Sequence, residues 1–323
     1  MTLDSIPIDA IRAARERLRG SVMRTPLVRL PLDGLQQDAP SEVWLKLENL
    51  QPIGSFKLRG ACNAMALAGP ERLADGVFTA SAGNMAQGVA WMARRIGVPC
   101  RVVVPDHAPA TKLQAIERLG GEIIKVPFDD WWRVIVTHEF AGVDGLFIHP
   151  VSDPAVIAGN GTIGLEILED LPDVETVIVP YGGGGLSSGI ASALRAERPE
   201  ASVFACEVET AAPLAAALEA GAPTEVEYVA SFVDGIGGKS LLAEMWPLAS
   251  NVLAGSIVVS LDEIAAALRL IAERCRVIAE GAGAASVAAA LTGAGGEGKT
   301  VCVISGGNID ARTLATILSG KTP

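Results

Sequence analysis

Glu175-Thr176-Val177-Ile178-Val179-Pro180-Tyr181-Gly182-Gly183-Gly184-Gly185-Leu186-Ser187-Ser188 is the stretch whose reading decides the fold. Residues 175–180 form a continuous run that ends at a glycine cluster, which reads as a strand buried on both faces. Residues 186–197 read as a helix. Strand, glycine-rich turn and helix in direct succession are the unit of a doubly wound α/β sheet, in which ligands sit beyond the carboxyl ends of the strands. Adjacent glycines let the main chain approach a ligand closely, and the first amides of the following helix bind an anion. A dinucleotide site fits less well, because the glycines do not fall at G-x-G-x-x-G. Gly237-Gly238-Lys239-Ser240 is similar to the end of a P-loop, but Val233 stands at the first glycine position and no strand precedes it.

The same unit recurs in both directions along the chain. Upstream, residues 42–48 alternate as a strand and lead into Pro52-Ile53-Gly54-Ser55-Phe56-Lys57-Leu58-Arg59-Gly60, then a helix to about residue 67. Lysine attacks a carbonyl only when part of it is deprotonated. The positive end of the helix, with Arg59 beside it, is expected to lower the pKa of Lys57. Residues 76–80 read as a strand running into Ser81-Ala82-Gly83-Asn84 and a helix. That turn is either a helix cap or a carboxylate site built from amides and Ser81. Strand and helix alternate through residue 148, and a long helix over 155–168 contains Gly159-Asn160-Gly161. Downstream, residues 299–304 read as the last buried strand and end at Ser305-Gly306-Gly307-Asn308.

Composition narrows the function. A chain of 323 residues can bury a large core, and a net charge of −11 excludes a basic surface for nucleic acid or anionic membrane. An anionic cofactor must then be held by local amides. The five cysteines are scattered through apolar runs, which points to buried thiols in a reducing, cytoplasmic compartment. The three histidines are too far apart in sequence to indicate a metal site. Neither a signal-peptide core near the N-terminus nor a membrane span is expected.

Together, the lysine stretch and the three glycine turns resemble the fold type II pyridoxal-phosphate enzymes, above all their threonine/serine dehydratase and serine racemase branch. The resemblance covers 46–60, 81–90, 149–166, 179–191, 234–235, 280–284 and 303–308. It implies an α/β fold like that of the tryptophan synthase β chain, with two doubly wound parallel or mixed sheets and flanking helices. It further implies a large cofactor-binding domain from residues 1–66 and 152–323, and a small substrate-gating domain from 67–151.

The resemblance also assigns roles. Lys57 would carry pyridoxal 5'-phosphate as a Schiff base and later take the Cα proton. Phe56 would back the ring, Asn84 would bond its phenolic oxygen, and Gly182, Gly183, Gly184, Gly185 and Leu186 would hold the phosphate. Gly235 would lie close to the ring, Glu280 near its edge, and Ser305 at its nitrogen. Ser81, Ala82, Gly83, Asn84 and Met85 would form the substrate site. A serine facing the ring nitrogen leaves the ring a weaker electron sink than a carboxylate would, which suits β-elimination.

The resemblance implies a homodimer that acts as an ammonia-lyase on an L-3-hydroxy amino acid, threonine, serine or a bulkier analogue. A β-replacement synthase of the cysteine synthase type, an amino acid racemase and a non-catalytic cofactor binder are the alternatives. Ala82 replaces the second serine of the racemases, which counts against racemisation. Met85 and Val151 also depart from the family pattern, and Trp131 and Trp132 are read as core or interface residues. Some relatives bind a cation through a glutamate, a carbonyl and an aspartate. Glu207 and Ala211 match the first two, but Pro213 stands at the third, so no metal is expected. The chain ends soon after its last motif, so feedback inhibition by isoleucine through an appended domain is not expected.

Overall fold

The computed structural model describes residues 5–34 and 40–323. Among them the chain forms two sheets. The larger has six strands in the order β1-β2-β10-β7-β8-β9, and the smaller four in the order β5-β4-β3-β6. In the larger sheet β1 (Leu27–Leu30) runs antiparallel to β2 (Glu42–Lys46). The remaining members, β7 (Thr176–Pro180), β8 (Ser202–Val208), β9 (Gly255–Val259) and β10 (Lys299–Val303), pair in parallel. The smaller sheet, of β3 (Val77–Ala80), β4 (Cys100–Pro105), β5 (Glu122–Val126) and β6 (Leu146–Phe147), is parallel throughout.

The alternation of side chains along the strands explains why helices cover both faces. In the larger sheet Ile178, Cys206 and Cys302 enter one core, with Leu268 of α10 (Leu261–Cys275) and Ala285 of α11 (Gly281–Leu291). Their neighbours Val177, Ala205 and Val301 enter the other, with Ile190 of α7 (Gly185–Glu197) and Leu214 of α8 (Pro213–Ala220). The smaller sheet behaves likewise. Val77 and Val102 pack with Met65 of α2 (Lys57–Arg72) and Val89 of α3 (Asn84–Ile96). Phe78 and Val103 pack with Val134 of α5 (Phe128–Thr137).

Two helices tie the sheets together. α6 (Pro154–Asp170) lies so close to α2 and α7 that side chains would not fit between them. A Cβ on Gly159 would stand 2.6 Å from the Arg59 carbonyl, and one on Gly161 2.8 Å from that of Gly189. The glycines singled out inside this helix therefore serve close packing. α2 departs from the expected end near residue 67: it continues to Arg72 past a break at Gly69, where φ is 76°. The short helices α9 (Trp246–Val252) and α12 (Ala311–Leu318) have no counterpart in the sequence reading.

Because β2, β7, β8 and β10 are parallel, their carboxyl ends lie on one edge of the larger sheet. The turns after β3 and β4 line the same cavity from the smaller sheet.

Candidate active site

The cavity between the two sheet edges has a volume of about 460 Å³, within the usual range for a small-ligand site. All fifteen residues singled out from the sequence line it: Phe56, Lys57, Ser81, Ala82, Gly83, Asn84, Met85, Gly182, Gly183, Gly184, Gly185, Leu186, Gly235, Glu280 and Ser305. They come from six separate stretches.

Lys57 opens α2, and its Nζ donates to the Pro150 carbonyl at 2.8 Å. Burial pushes its pKa down to about 8, and nearby Glu280 opposes the shift. The physical cause differs from the expected one. Arg59 points away from the cavity into a buried ion cluster, where its Nη2 meets Glu48 at 2.8 Å and its Nη1 meets Glu166 at 2.7 Å. Lys46 Nζ reaches Glu166 at 2.6 Å, so two cations face two carboxylates. Burial disfavours the guanidinium charge, but Glu48 and Glu166 outweigh it and raise the pKa of Arg59. Its charge is spent on those carboxylates, so burial of the amine sets the pKa of Lys57.

The glycine turn after β7 is closed from above by Val151. A Cβ on Gly183 would stand 2.5 Å from a Val151 methyl, and one on Gly185 2.7 Å from the Val151 carbonyl. Gly184 has φ of 92°, a left-handed conformation that glycine adopts without strain. Asn160 on α6 donates to the Gly185 carbonyl at 3.2 Å and fixes the start of α7. Nearby Tyr181 and Ser188 have hydroxyls without a protein partner among the described residues.

The turn after β3 is not a side-chain cap. The residue before α3 is Gly83, Ser81 Oγ accepts from the Gly83 amide at 3.2 Å, and Asn84 reaches across to the larger sheet. Its Nδ2 donates to Glu280 Oε1 at 3.0 Å, and its Oδ1 accepts from Asn308 Nδ2 at 2.8 Å. Asn308 also donates to the Ile53 carbonyl, at 2.9 Å. Asn84 Nδ2 also donates to Glu280 Oε2 at 3.3 Å, so Asn84 is held from both sides. Burial is the main reason that the Glu280 pKa rises to about 7; the Asn84 bond works against it, and Asp234 adds to it.

Several lining residues were not singled out as site residues. Lys112 and Asp234 form a 2.6 Å ion pair across the cavity mouth. Trp131 lines the cavity with Phe128, their rings 5.4 Å apart, whereas Trp132 is exposed. The core reading of Trp131 holds only in part: it packs on the smaller sheet's core and also walls the cavity, with its indole N–H unpartnered among the described residues. The apolar face of α5 is the signal that could have placed it.

Two possible metal positions can be judged from their donors. Glu207 accepts from the amides of Leu214 and Ala215, each at 2.8 Å, and from Ser256 Oγ at 2.6 Å. Both of its oxygens serve the start of α8, which leaves them poorly placed for a cation. The fold brings His138 and His149 together with Glu244, so the histidines are less scattered in space than in sequence. Both ring nitrogens of His149 are committed to main-chain groups, however.

The residues present fit pyridoxal phosphate. A partly deprotonated lysine, a glycine turn at a helix start and a ring of fixed polar side chains converge on one cavity. The comparisons with known proteins agree. The family model described as "Pyridoxal-phosphate dependent enzyme" matches residues 18–307. An L-threonine ammonia-lyase of Thermotoga maritima is 41% identical over 318 residues, covering 97% of this chain and 78% of the relative. Among solved structures, maize serine racemase superposes with a TM-score of 0.87 at 32% identity, covering 98% of each chain. The processed threonine deaminase isoform 2 of Solanum lycopersicum gives a TM-score of 0.87 at 30% identity, covering 97% of this chain and 87% of its own.

Proposed function

The chain belongs to the family of pyridoxal-phosphate-dependent enzymes, and on that premise we propose that it is an ammonia-lyase acting on L-threonine, L-serine or a bulkier L-3-hydroxy amino acid. The observation that carries the reading is Lys57, with a pKa near 8, in one cavity with the glycine turn and Ser305. The overall reaction converts threonine to 2-oxobutanoate and ammonia.

Gly182, Gly183, Gly184, Gly185 and Leu186 would hold the phosphate, with Phe56 behind the ring. Asn84 would meet the phenolic oxygen and Ser305 the ring nitrogen, with Gly235 and Glu280 beside the ring. Bound there, the cofactor supplies a carbonyl carbon that condenses with amines and a ring that accepts the electron pair left at Cα. Ser81, Ala82, Gly83, Asn84 and Met85 would seat the substrate carboxylate at the start of α3. The Lys57 amine takes the Cα proton, and the Pro150 carbonyl keeps that amine in place. The Cβ–O bond then breaks, and the hydroxyl leaves with a proton as water. The released enamine takes water back and yields the 2-oxo acid and ammonia. Racemisation is the weaker reading, because the Ala82 methyl cannot carry a proton.

We further place the enzyme in the cytoplasm as a homodimer, with residues 1–66 and 152–323 as one domain and 67–151 as the other. Residues 1–4 and 35–39 of that division lie outside the described residues. The five free cysteines, four of them buried, support a reducing compartment. Among the described residues no helix is long and apolar enough to cross a membrane. Strand membership supports the domain division, since β3 to β6 form the smaller sheet alone.

The test is direct. The reconstituted protein is given a panel of L-3-hydroxy amino acids while 2-oxo acid and ammonia are measured. Equal amounts of both from threonine or serine support the reading. No 2-oxo acid from any member of the panel, or cysteine formed only when sulfide is added, overturns it.

A further inference from the structure

We propose that His149 is the positioning residue of the active site, fixing the turn 150–152 that sets both the Lys57 amine and the glycine turn. The inference rests on the reading that Lys57 and the glycine turn hold the cofactor.

His149 is buried between the smaller sheet and the cavity. Its Nδ1 accepts from the Ser152 amide at 2.8 Å and the Val151 amide at 3.1 Å, and it also meets Ser152 Oγ at 2.9 Å. Two main-chain donors on Nδ1 require the proton to sit on Nε2, which donates to the Ile135 carbonyl of α5 at 3.1 Å. The ring is therefore neutral and has a defined tautomer. Burial and the neighbouring His138 favour that state, lowering its pKa to about 4.

The turn fixed in this way has two working contacts. The Pro150 carbonyl accepts from Lys57 Nζ at 2.8 Å. Val151 closes over the glycine turn, its methyls at Gly183 and its carbonyl at Gly185. One imidazole thus sets the position of the amine and the shape of the anion cradle at the same time. His149 touches neither group itself, and it acts only through the turn.

Two substitutions separate this role from simple core packing. In His149→Asn the side-chain oxygen falls near the position of Nδ1, so an acceptor for the turn is kept and the Ile135 link is lost. In His149→Gln the side-chain nitrogen falls near Nε2, so the Ile135 link is kept and the acceptor is lost. The readouts are the dissociation constant for pyridoxal phosphate and the labelling rate of Lys57 by trinitrobenzenesulfonate in the cofactor-free protein. We expect His149→Asn to stay within about threefold of wild type on both, and His149→Gln to bind the cofactor about tenfold more weakly with an altered labelling rate. Equal behaviour of the two variants, or the reverse order, overturns the proposal. If neither folds, Ser152→Ala carries the test, because it removes only the Oγ contact: cofactor binding weakened about threefold supports the proposal, and unchanged binding overturns it. A wild-type protein that took up no cofactor at Lys57 would instead sink the reading on which this rests.

Discussion

The side-chain amide of Asn84, at the start of α3, donates to the carboxylate of Glu280, just before α11, at 3.0 Å, and so joins the smaller sheet to the larger across the cavity. The bond favours an ionised carboxylate, but burial disfavours the charge more strongly and raises the pKa to about 7. A carboxyl whose folded pKa is raised binds its proton more tightly in the folded state. Stability of the cofactor-free protein should therefore fall as pH rises from about 4.3 to about 7, by roughly 3 kcal/mol, and then level off. Glu280→Gln should flatten that part of the profile and keep an oxygen for Asn84. Urea unfolding at a series of pH values measures both, and an unchanged slope in the variant would rule out Glu280 as its source.

The buried amine makes a prediction of its own. With a pKa near 8, Lys57 is mostly protonated below that pH and reacts only through its neutral fraction. Uptake of pyridoxal phosphate by the cofactor-free protein should speed up about tenfold per pH unit below 8 and level off above it. The visible absorbance follows the reaction, and borohydride followed by mass spectrometry should find a pyridoxyl group on Lys57. Lys57→Ala should lose the adduct and at least about a thousandfold in activity. An adduct on another lysine would contradict the assignment.

Much of this site was legible in the sequence because glycine has few substitutes. A left-handed φ at Gly184 and close approaches at Gly183 and Gly185 leave glycine as the residue that fits, so the turn announces itself. Parallel strands buried on both faces also show as apolar runs, which is why β7 and β10 could be read. What could not be read depends on partners far away in the chain. Arg59 and Glu166 are 107 residues apart, and nothing local tells the arginine to turn from Lys57. The proximity of His138 to His149 likewise arises only once the smaller sheet has folded. The short α9 and α12, of 7 and 8 residues, span only about two turns each and fell below the length at which a helix stands out from a loop.

The buried ion cluster predicts a cost to the fold with no effect on the amine. Arg59→Met would take from buried Glu48 its partner cation and leave Glu166 paired with Lys46, and should cost about 3–5 kcal/mol in urea unfolding. The pH midpoint for cofactor uptake should stay near that of wild type, because Arg59 does not set the Lys57 pKa. A midpoint moved upward by a full unit would restore Arg59 to that role.

Contacts around the glycine turn predict which lesions can be repaired. An alanine methyl at 183 meets the Val151 side chain, whereas one at 185 meets the Val151 carbonyl. Gly183→Ala and Gly185→Ala should each weaken cofactor binding by about tenfold or more. Adding Val151→Ala should recover much of the loss for Gly183→Ala and little for Gly185→Ala, since shortening the side chain leaves the carbonyl in place. Equilibrium titration of the visible absorbance distinguishes these outcomes, and equal rescue of both would mean that the backbone there yields easily.

Reaction specificity should depend on Ala82, which lines the cavity beside Ser81 and Gly83. Once a proton has left Cα, its return to the opposite face needs a second proton-bearing group, and a methyl carries none. Wild-type protein given L-serine should therefore form pyruvate with very little D-serine. Ala82→Ser supplies a hydroxyl at this position and should raise D-serine formation at least about tenfold, since a positioned proton donor is worth about a hundredfold or more when well placed. Chiral chromatography alongside the pyruvate assay measures the partition. If wild-type protein already formed D-serine as fast as pyruvate, the hydroxyl would be unnecessary, and the proton would have to come from another group lining the cavity.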